Sequence, residues 1–298
     1  MRPSHYWNFL GKGSANAVYY YSGPTLDLSE KVLRLRLVGT TVSTREIHDW
    51  LSGHDFDPIR KYMLETELVL LDRDLLKDLD SRSTAFRLDL TTRDGLLMRN
   101  ILSYSPTEYR VITLSKYIVF HVHEDGRQTL LEFKPKWLYD SPEGYAACRN
   151  CIQARLKGQK FVNCSLQLLE GREGLERWCH KIQDELNGRG EKLEVYEQLV
   201  EILTREYALI RGLYRIQNGE DGYDIRSRLR DLQSEDDVDK FLQLSMAVKD
   251  VSVFVDLEKG EVVVVDLDKK SATKWRHWRD QEVKIEQAAE TERTEAKS

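Results

Sequence analysis

The chain has 298 residues, with 45 lysines and arginines against 50 aspartates and glutamates for a formal net charge of −5. That length can bury a full core as one large domain or as two lobes, and the acidic balance excludes a polybasic nucleic-acid binder, so any anionic ligand has to be met by cations clustered locally. No apolar run reaches about 18 residues and the N-terminal MRPSHYWNFLGKG lacks the apolar stretch of a signal peptide, which predicts a soluble intracellular chain with no membrane partner and no direct nucleic-acid partner.

The chain opens with strand, glycine loop and strand in YWNFLGKGSANAVYYYSG, and a third strand, EKVLRLRLV, alternates Val32, Arg34 and Arg36 against Leu33 and Leu35. Residues 44–79 carry leucines at helical spacing after the capping-type Ser43 and Thr44. Strand patterns return at 84–90 and 108–123, and the turn HEDGR leads into a further strand from Leu130. Helices are expected over 144–158, 170–187, 191–215 and 235–248, followed by the β-branched hairpin DVSVFVDLEKGEVVVVDLD. From about Gln281 the chain is polar and is expected to be frayed.

Several residue patterns bear on chemistry. In GKGSAN the glycines permit close approach of backbone to phosphates, and a loop between antiparallel strands suits a covering flap, although a plain hairpin turn looks the same. Arg34 on the third strand fits a cation that clamps nucleotide phosphates, or an ordinary sheet-edge arginine. In LLEFKPKWLYDSP, residues 130–142, strand alternation puts Glu132, Lys134 and Lys136 on one side and Leu131, Phe133 and Pro135 on the other. A solvated polar face would be the plain meaning of one such strand.

Asp250 precedes the last hairpin and Asp266 ends it, so pairing across the short turn brings both carboxylates near one spot. They fit a Mg·ATP site in which Asp250 takes the proton of an attacking hydroxyl, or they are ordinary turn aspartates. Lys269, Lys270, Lys274, Arg276, His277 and Arg279 follow; Lys270, Lys274 and Trp278 would share a face of a helix. A strand-rich first part with a glycine loop and a helical second part with an Asp-ended hairpin is the plan of a kinase-like phosphotransferase. The expected fold is α+β and two-lobed, with an N-lobe over 1–112, a C-lobe over 113–280 and a disordered tail over 281–298.

The chain resembles the inositol-pentakisphosphate 2-kinases, most closely their fungal branch, through GKGSAN, KVLRLR, EFKPKW with the downstream SP, CRNC and LK, then KDVS, and VVDLD with its lysine pair. These motifs occur in order over residues 11–275. The resemblance implies transfer of the ATP γ-phosphate to the axial 2-hydroxyl of inositol 1,3,4,5,6-pentakisphosphate, giving the hexakisphosphate. ATP and magnesium are the implied cofactors, and the implied state is a monomer in the nucleus or cytoplasm.

The same resemblance places Gly11, Gly13, Ser14, Ala15, Asn16 and Arg34 at the nucleotide, with Glu132 on the nucleotide side. Asp250 becomes the catalytic residue and, with Asp266, a magnesium ligand; Lys134, Lys136, Lys157, Lys270 and Lys274 hold inositol phosphates. Val251, Lys12 and Gln153 depart from residues common in the family, and Arg127 and Arg155 are candidates for its hinge arginine. Two other readings are a different kinase-fold phosphotransferase and a non-catalytic inositol-phosphate binding module; retention of Asp250 and Asp266 argues against the second.

Four cysteines, Cys148, Cys151, Cys164 and Cys179, are too few for a disulfide framework in a chain this long. CRNC has the gap of half a zinc site, which Cys164 with Cys179 or His180 could complete. Buried free thiols are expected ahead of a structural zinc at Cys148 and Cys151.

Overall fold

The computed structural model describes residues 4–102, 105–139, 147–219 and 224–295. They divide into two compact units, one running up to Gly53 and adding Leu64–Glu108, the other made of His54–Met63 and the chain from Tyr109 onward. Ser141 and Pro142 of the quoted motif lie outside the described residues.

The first unit contains β1 (Trp7–Lys12), β2 (Asn16–Tyr21), α1 (Leu26–Ser29), β3 (Lys31–Arg36), α2 (Thr44–Ser52), β4 (Thr66–Leu70), α3 (Arg73–Ser81) and β5 (Asp94–Arg99). Its antiparallel sheet has the order β1-β2-β3-β5-β4. Alternation in NAVYYY and KVLRLR decides the two faces, because a residue and its cross-strand partner project to the same side. Ala17, Tyr19, Tyr21, Leu33 and Leu35 enter a core shared with Trp7 and with Leu75, Leu76 and Leu79 of α3. Asn16 pairs with Arg36 and Val18 with Arg34 on the opposite face. Helix α2 starts with a reciprocal capping box between Ser43 and Glu46 and buries Ile47 against Leu96 of β5.

The second unit carries β6 (Tyr109–Ser115), β7 (Ile118–His123), β8 (Thr129–Phe133), α4 (Arg149–Leu156), α5 (Gly171–Gly188), α6 (Tyr196–Arg205), α7 (Tyr207–Asn218), α8 (Ile225–Arg230), α9 (Lys240–Val248), β9 (Ser252–Asp256), β10 (Glu261–Val265) and α10 (Trp275–Glu295). The sheet order is β10-β9-β8-β7-β6, antiparallel throughout. Leu130, Leu131, Phe133, Val253 and Val255 in its central strands are fully buried, each contributing about 1.5–3 kcal/mol through burial. The β9–β10 turn closes with Gly260 at φ 65, a left-handed conformation that glycine adopts without a Cβ penalty.

Several expectations from the pattern are corrected. Residues 281–295 are not a frayed tail: they continue α10, which packs on α4 and α8. Their polar composition hid a buried stripe of Glu282, Ile285 and Ala289. Glu282 has no exposed surface and its carboxylate lies 2.6 Å from Arg149, itself 6% exposed. Thr66–Leu70 is a strand inside the stretch expected to be helical, and residues 54–62 form a 3₁₀ segment containing Pro58. Residues 84–90 make only an isolated bridge, Leu88 with Leu37, while the real strand is β5. The helix expected over 191–215 is two helices, broken at Glu206.

A buried pair whose partner is removed leaves an uncompensated charge, whereas an exposed pair is worth little. Glu282→Ala should therefore cost about 3–5 kcal/mol of stability. Glu292→Ala, further along α10, which breaks the more exposed pair with Arg155 of α4, should cost less than about 1 kcal/mol. Urea unfolding of both variants checks this; equal costs would contradict the buried role of α10.

Candidate active site

The glycine hairpin of the first unit is closed by Gly13 N–H donating to the Asn16 carbonyl at 2.9 Å. A Cβ added at Gly11 or Gly13 would meet nothing within 4 Å, so neighbouring packing does not require glycine there. What glycine supplies is bare backbone at an exposed loop, as phosphate binding needs. Ser14 and Ala15 form its tip. Behind it, Arg36 Nη1 donates to Asn16 Oδ1 at 2.9 Å, and Arg34 projects from the same face. Arg34 and Arg36 are 9% and 8% exposed, too buried for ordinary sheet-edge arginines. Arg36 was visible in the alternation of KVLRLR but was not singled out.

In the second unit the outer ends of β9 and β10 meet as the register requires, Val265 pairing with Ser252. Asp250 lies just before that pair and Asp266 just after it. Lys136 Nζ is 2.9 Å from Asp250 Oδ1 and Lys270 Nζ is 4.0 Å from Oδ2. Lys134 Nζ is 3.7 Å from Asp266 and 3.8 Å from Glu132, and it donates to Ser252 Oγ. The Ser252 hydroxyl in turn donates to Glu132 Oε1 at 2.8 Å, and His121 Nε2 stands 3.5 Å from the same carboxylate. The side chains of the EFKPK segment thus meet both hairpin carboxylates.

The backbone is unusual at two of these positions. Among the described residues Lys136 and Asp266 are the non-glycine residues with positive φ, 59 and 66. Such conformations are costly and persist where the surroundings enforce them, most often at functional sites. At Lys136 the enforcement is visible: fully buried Gln217 donates to the Lys136 carbonyl at 2.8 Å and accepts from Leu138 N–H at 2.7 Å. Strand alternation survives as burial, since Leu131, Phe133, Pro135 and Trp137 are buried and the residues between them are not. The strand itself ends at Phe133.

Electrostatics separates these groups. Burial alone would raise the Asp250 carboxyl, but Lys249, Lys136 and Lys270 outweigh it and hold the group far below the ordinary carboxylate range. Burial, with Arg149, Lys136 and Lys270 close by, pushes Lys249 down to about 7 against the pull of Asp250. Its ammonium also lies 5.3 Å from the Trp137 ring centroid. Glu132 is opposed by burial, yet His121, Ser252 and Lys134 keep it below its ordinary value. Lys157 is lowered by burial and by Lys116, Lys136 and Arg149, which marks it as part of the same cationic field.

Lys274 makes no ion pair with these carboxylates among the described residues, and Lys270 and Lys274 both precede α10, which begins at Trp275, so neither shares a face of that helix with Trp278. Trp278 is a core residue, 5% exposed. Arg127 pairs with Asp125 and Arg155 with Glu292, both at the surface. Lys249, Ser252, His121, Arg149 and Gln217 join the site without having been assigned from the pattern; the KDVS string contained two of them.

Cys148 Sγ lies 3.4 Å from Cys151 Sγ and 3.5 Å from Cys164 Sγ, the three sulfurs falling within 4.8 Å of one another. Cys148 occupies the N-cap position of α4 without a side-chain cap bond, and Cys151 is one turn on. Hydrogen bonds from Cys148 and Cys151 pull the Cys164 thiol strongly down despite its burial. Neither Cys179 nor His180 joins this group; burial pushes the Cys179 thiol up to about 12.

A family profile described as inositol-pentakisphosphate 2-kinase matches residues 9–284. Similar proteins of that name include one from Debaryomyces hansenii, 25% identical over 94% of this chain and 90% of its own length. One from Yarrowia lipolytica is 28% identical over 93% and 89%, and one from Saccharomyces cerevisiae is 28% identical over 56% and 57%. With a match that spans both structural units and every motif residue named above, the chain belongs to the inositol-pentakisphosphate 2-kinase family.

Proposed function

We propose that this protein is an ATP-dependent kinase that phosphorylates the 2-hydroxyl of inositol 1,3,4,5,6-pentakisphosphate to give inositol hexakisphosphate, acting in the nucleus or cytoplasm. The observation that carries the proposal is the hairpin end, where two carboxylates stand among Lys134, Lys136, Lys249 and Lys270 in a chain of this family. Gly11, Gly13, Ser14, Ala15, Asn16 and Arg34, joined by Arg36, bind the nucleotide phosphates, and Glu132 holds Lys134 and Ser252 in place on the nucleotide side. Lys134, Lys136, Lys157, Lys270 and Lys274 bind the phosphates of the inositol.

Asp250 and Asp266 offer the hard oxygen donors that magnesium takes, and the Asp266 side chain is 55% exposed. Magnesium, when bound, neutralises charge on the transferring phosphoryl group. Asp250 takes the proton of the 2-hydroxyl. In the ligand-free protein Lys249, Lys136 and Lys270 together make Asp250 a weak base; substrate phosphates that draw Lys136 and Lys270 to themselves raise its basicity.

Asp250→Ala and Asp266→Ala should each lower turnover by at least about 100-fold with pentakisphosphate binding retained, as read by single-turnover assay and calorimetry. Near-normal turnover in both would remove the catalytic assignment and favour a binding module. Lys134→Ala or Lys136→Ala should raise the dissociation constant for the pentakisphosphate by about tenfold to a hundredfold, with a smaller effect in high salt. Unchanged affinity in both would mean that these lysines only neutralise Asp250 and Asp266.

Cys148, Cys151 and Cys164 are proposed to supply three of the four ligands of a structural zinc. Zn–S bonds of about 2.3 Å set tetrahedral sulfur separations of about 3.8 Å, close to the 3.4 and 3.5 Å present. Metal analysis of protein from zinc-replete medium should find about one zinc per chain, lost in Cys164→Ser together with a lower melting temperature. Metal-free wild-type protein would show that the three are free thiols.

A further inference from the structure

On the core face of the first unit's sheet, β1, β2 and the chain following α3 border a solvent-open cavity of about 430 Å³. Its walls are aromatic: Trp7, Phe9, Tyr19 and Phe86 line it, the Phe9 ring lying 5.9 Å from that of Tyr19 and 5.3 Å from that of Phe86. Phe9 is 49% exposed, a large apolar side chain left at an opening instead of being packed away. Trp7 and Tyr19 are 1% and 2% exposed, yet among the described residues Trp7 Nε1 and Tyr19 Oη have no hydrogen-bond partner. Buried polar groups are nearly always satisfied, and these two atoms are exceptions buried beneath the cavity wall rather than open to it.

The charges around the cavity select among ligands for it. Arg82 is engaged by Asp78 and by the Trp7 carbonyl, and Asp80 accepts from Leu88 N–H. Lys12, which also lines the cavity, is exposed and makes no ion pair among the described residues. The volume lies within the about 300–1,000 Å³ usual for small-molecule sites, and an apolar lining with a few polar groups is their usual chemistry.

We propose that this cavity binds a planar aromatic monoanion, its ring against Phe9 and Phe86 and its charge at Lys12. The site is distinct from that of the nucleotide. Trp7, Phe9 and Lys12 pair with Tyr21, Tyr19 and Ala17 on the core face, whereas Asn16 and Arg34 project from the other. It nevertheless touches the strand that leads into the glycine hairpin, whose register is irregular between Phe9 and Gly11.

The test is a fluorescence titration of the full chain with 8-anilinonaphthalene-1-sulfonate, an aromatic monoanion, without and with saturating Mg·ATP. One saturable site that Mg·ATP does not displace is expected. Ala85→Trp, at an exposed position on the cavity wall, should fill the space and weaken the probe more than about tenfold; Lys12→Glu should weaken it at least about threefold. Circular dichroism verifies that both variants fold. Absence of saturable binding, displacement by Mg·ATP, or unchanged affinity in either folded variant overturns the proposal.

Discussion

In the polyphosphate site proposed above, the ion pair between Lys136 and Asp250 answers a constraint that every such site faces. Cations gathered for a highly charged ligand repel one another while the ligand is away, by about 4 kcal/mol for two unit charges 4 Å apart at an effective dielectric constant of about 20. Here Lys136, Lys249, Lys270 and Arg149 all act on the Asp250 region, while Lys134 is placed between Asp266 and Glu132. The carboxylates thus offset the crowding of the ligand-free protein. The cost is carried by Lys249, driven down to about 7, and by Asp250, whose basicity is suppressed.

This balance depends on backbone placement. The β9–β10 register sets Asp250 and Asp266 on either side of the Ser252–Val265 pair, and the left-handed residues Lys136 and Asp266 turn the chain at two of the charged positions. Gln217, buried in α7, grips the chain on both sides of Trp137. Ser245 of α9 donates to the Gln217 carbonyl, so the helical layer fixes the approach of the lysines to the hairpin. The rigidity of the site therefore resides in buried polar bonds as much as in apolar packing.

The hairpin and the alternating strands could be read in the amino-acid order because β-branched runs around a Glu-Lys-Gly turn have few other meanings. Glu132, Lys134 and Lys136 kept the alternation of burial expected of them even though the strand stops at Phe133. Other features were illegible for definite reasons. The leucines of residues 66–70 fit a helix as well as a strand when only spacing is seen, and a short strand flanked by true helices offers little to separate the two. Helix α10 looked like a polar tail because a buried glutamate paired with arginine counts as polar in any pattern. Gln217, Ser252 and Arg149 act through partners far away in the chain, and the convergence of Cys164 on CRNC is likewise a property of the fold.

The central claim, that this charge-balanced hairpin end phosphorylates an inositol polyphosphate at one hydroxyl, is tested most directly by product analysis. The full chain is incubated with Mg·ATP and each member of a panel of purified inositol phosphates, and the products are assigned by phosphorus NMR. The account predicts that inositol 1,3,4,5,6-pentakisphosphate is converted to the hexakisphosphate through its 2-hydroxyl. Absence of ATP-dependent conversion of that pentakisphosphate, or transfer only to a different hydroxyl of another substrate, would contradict it.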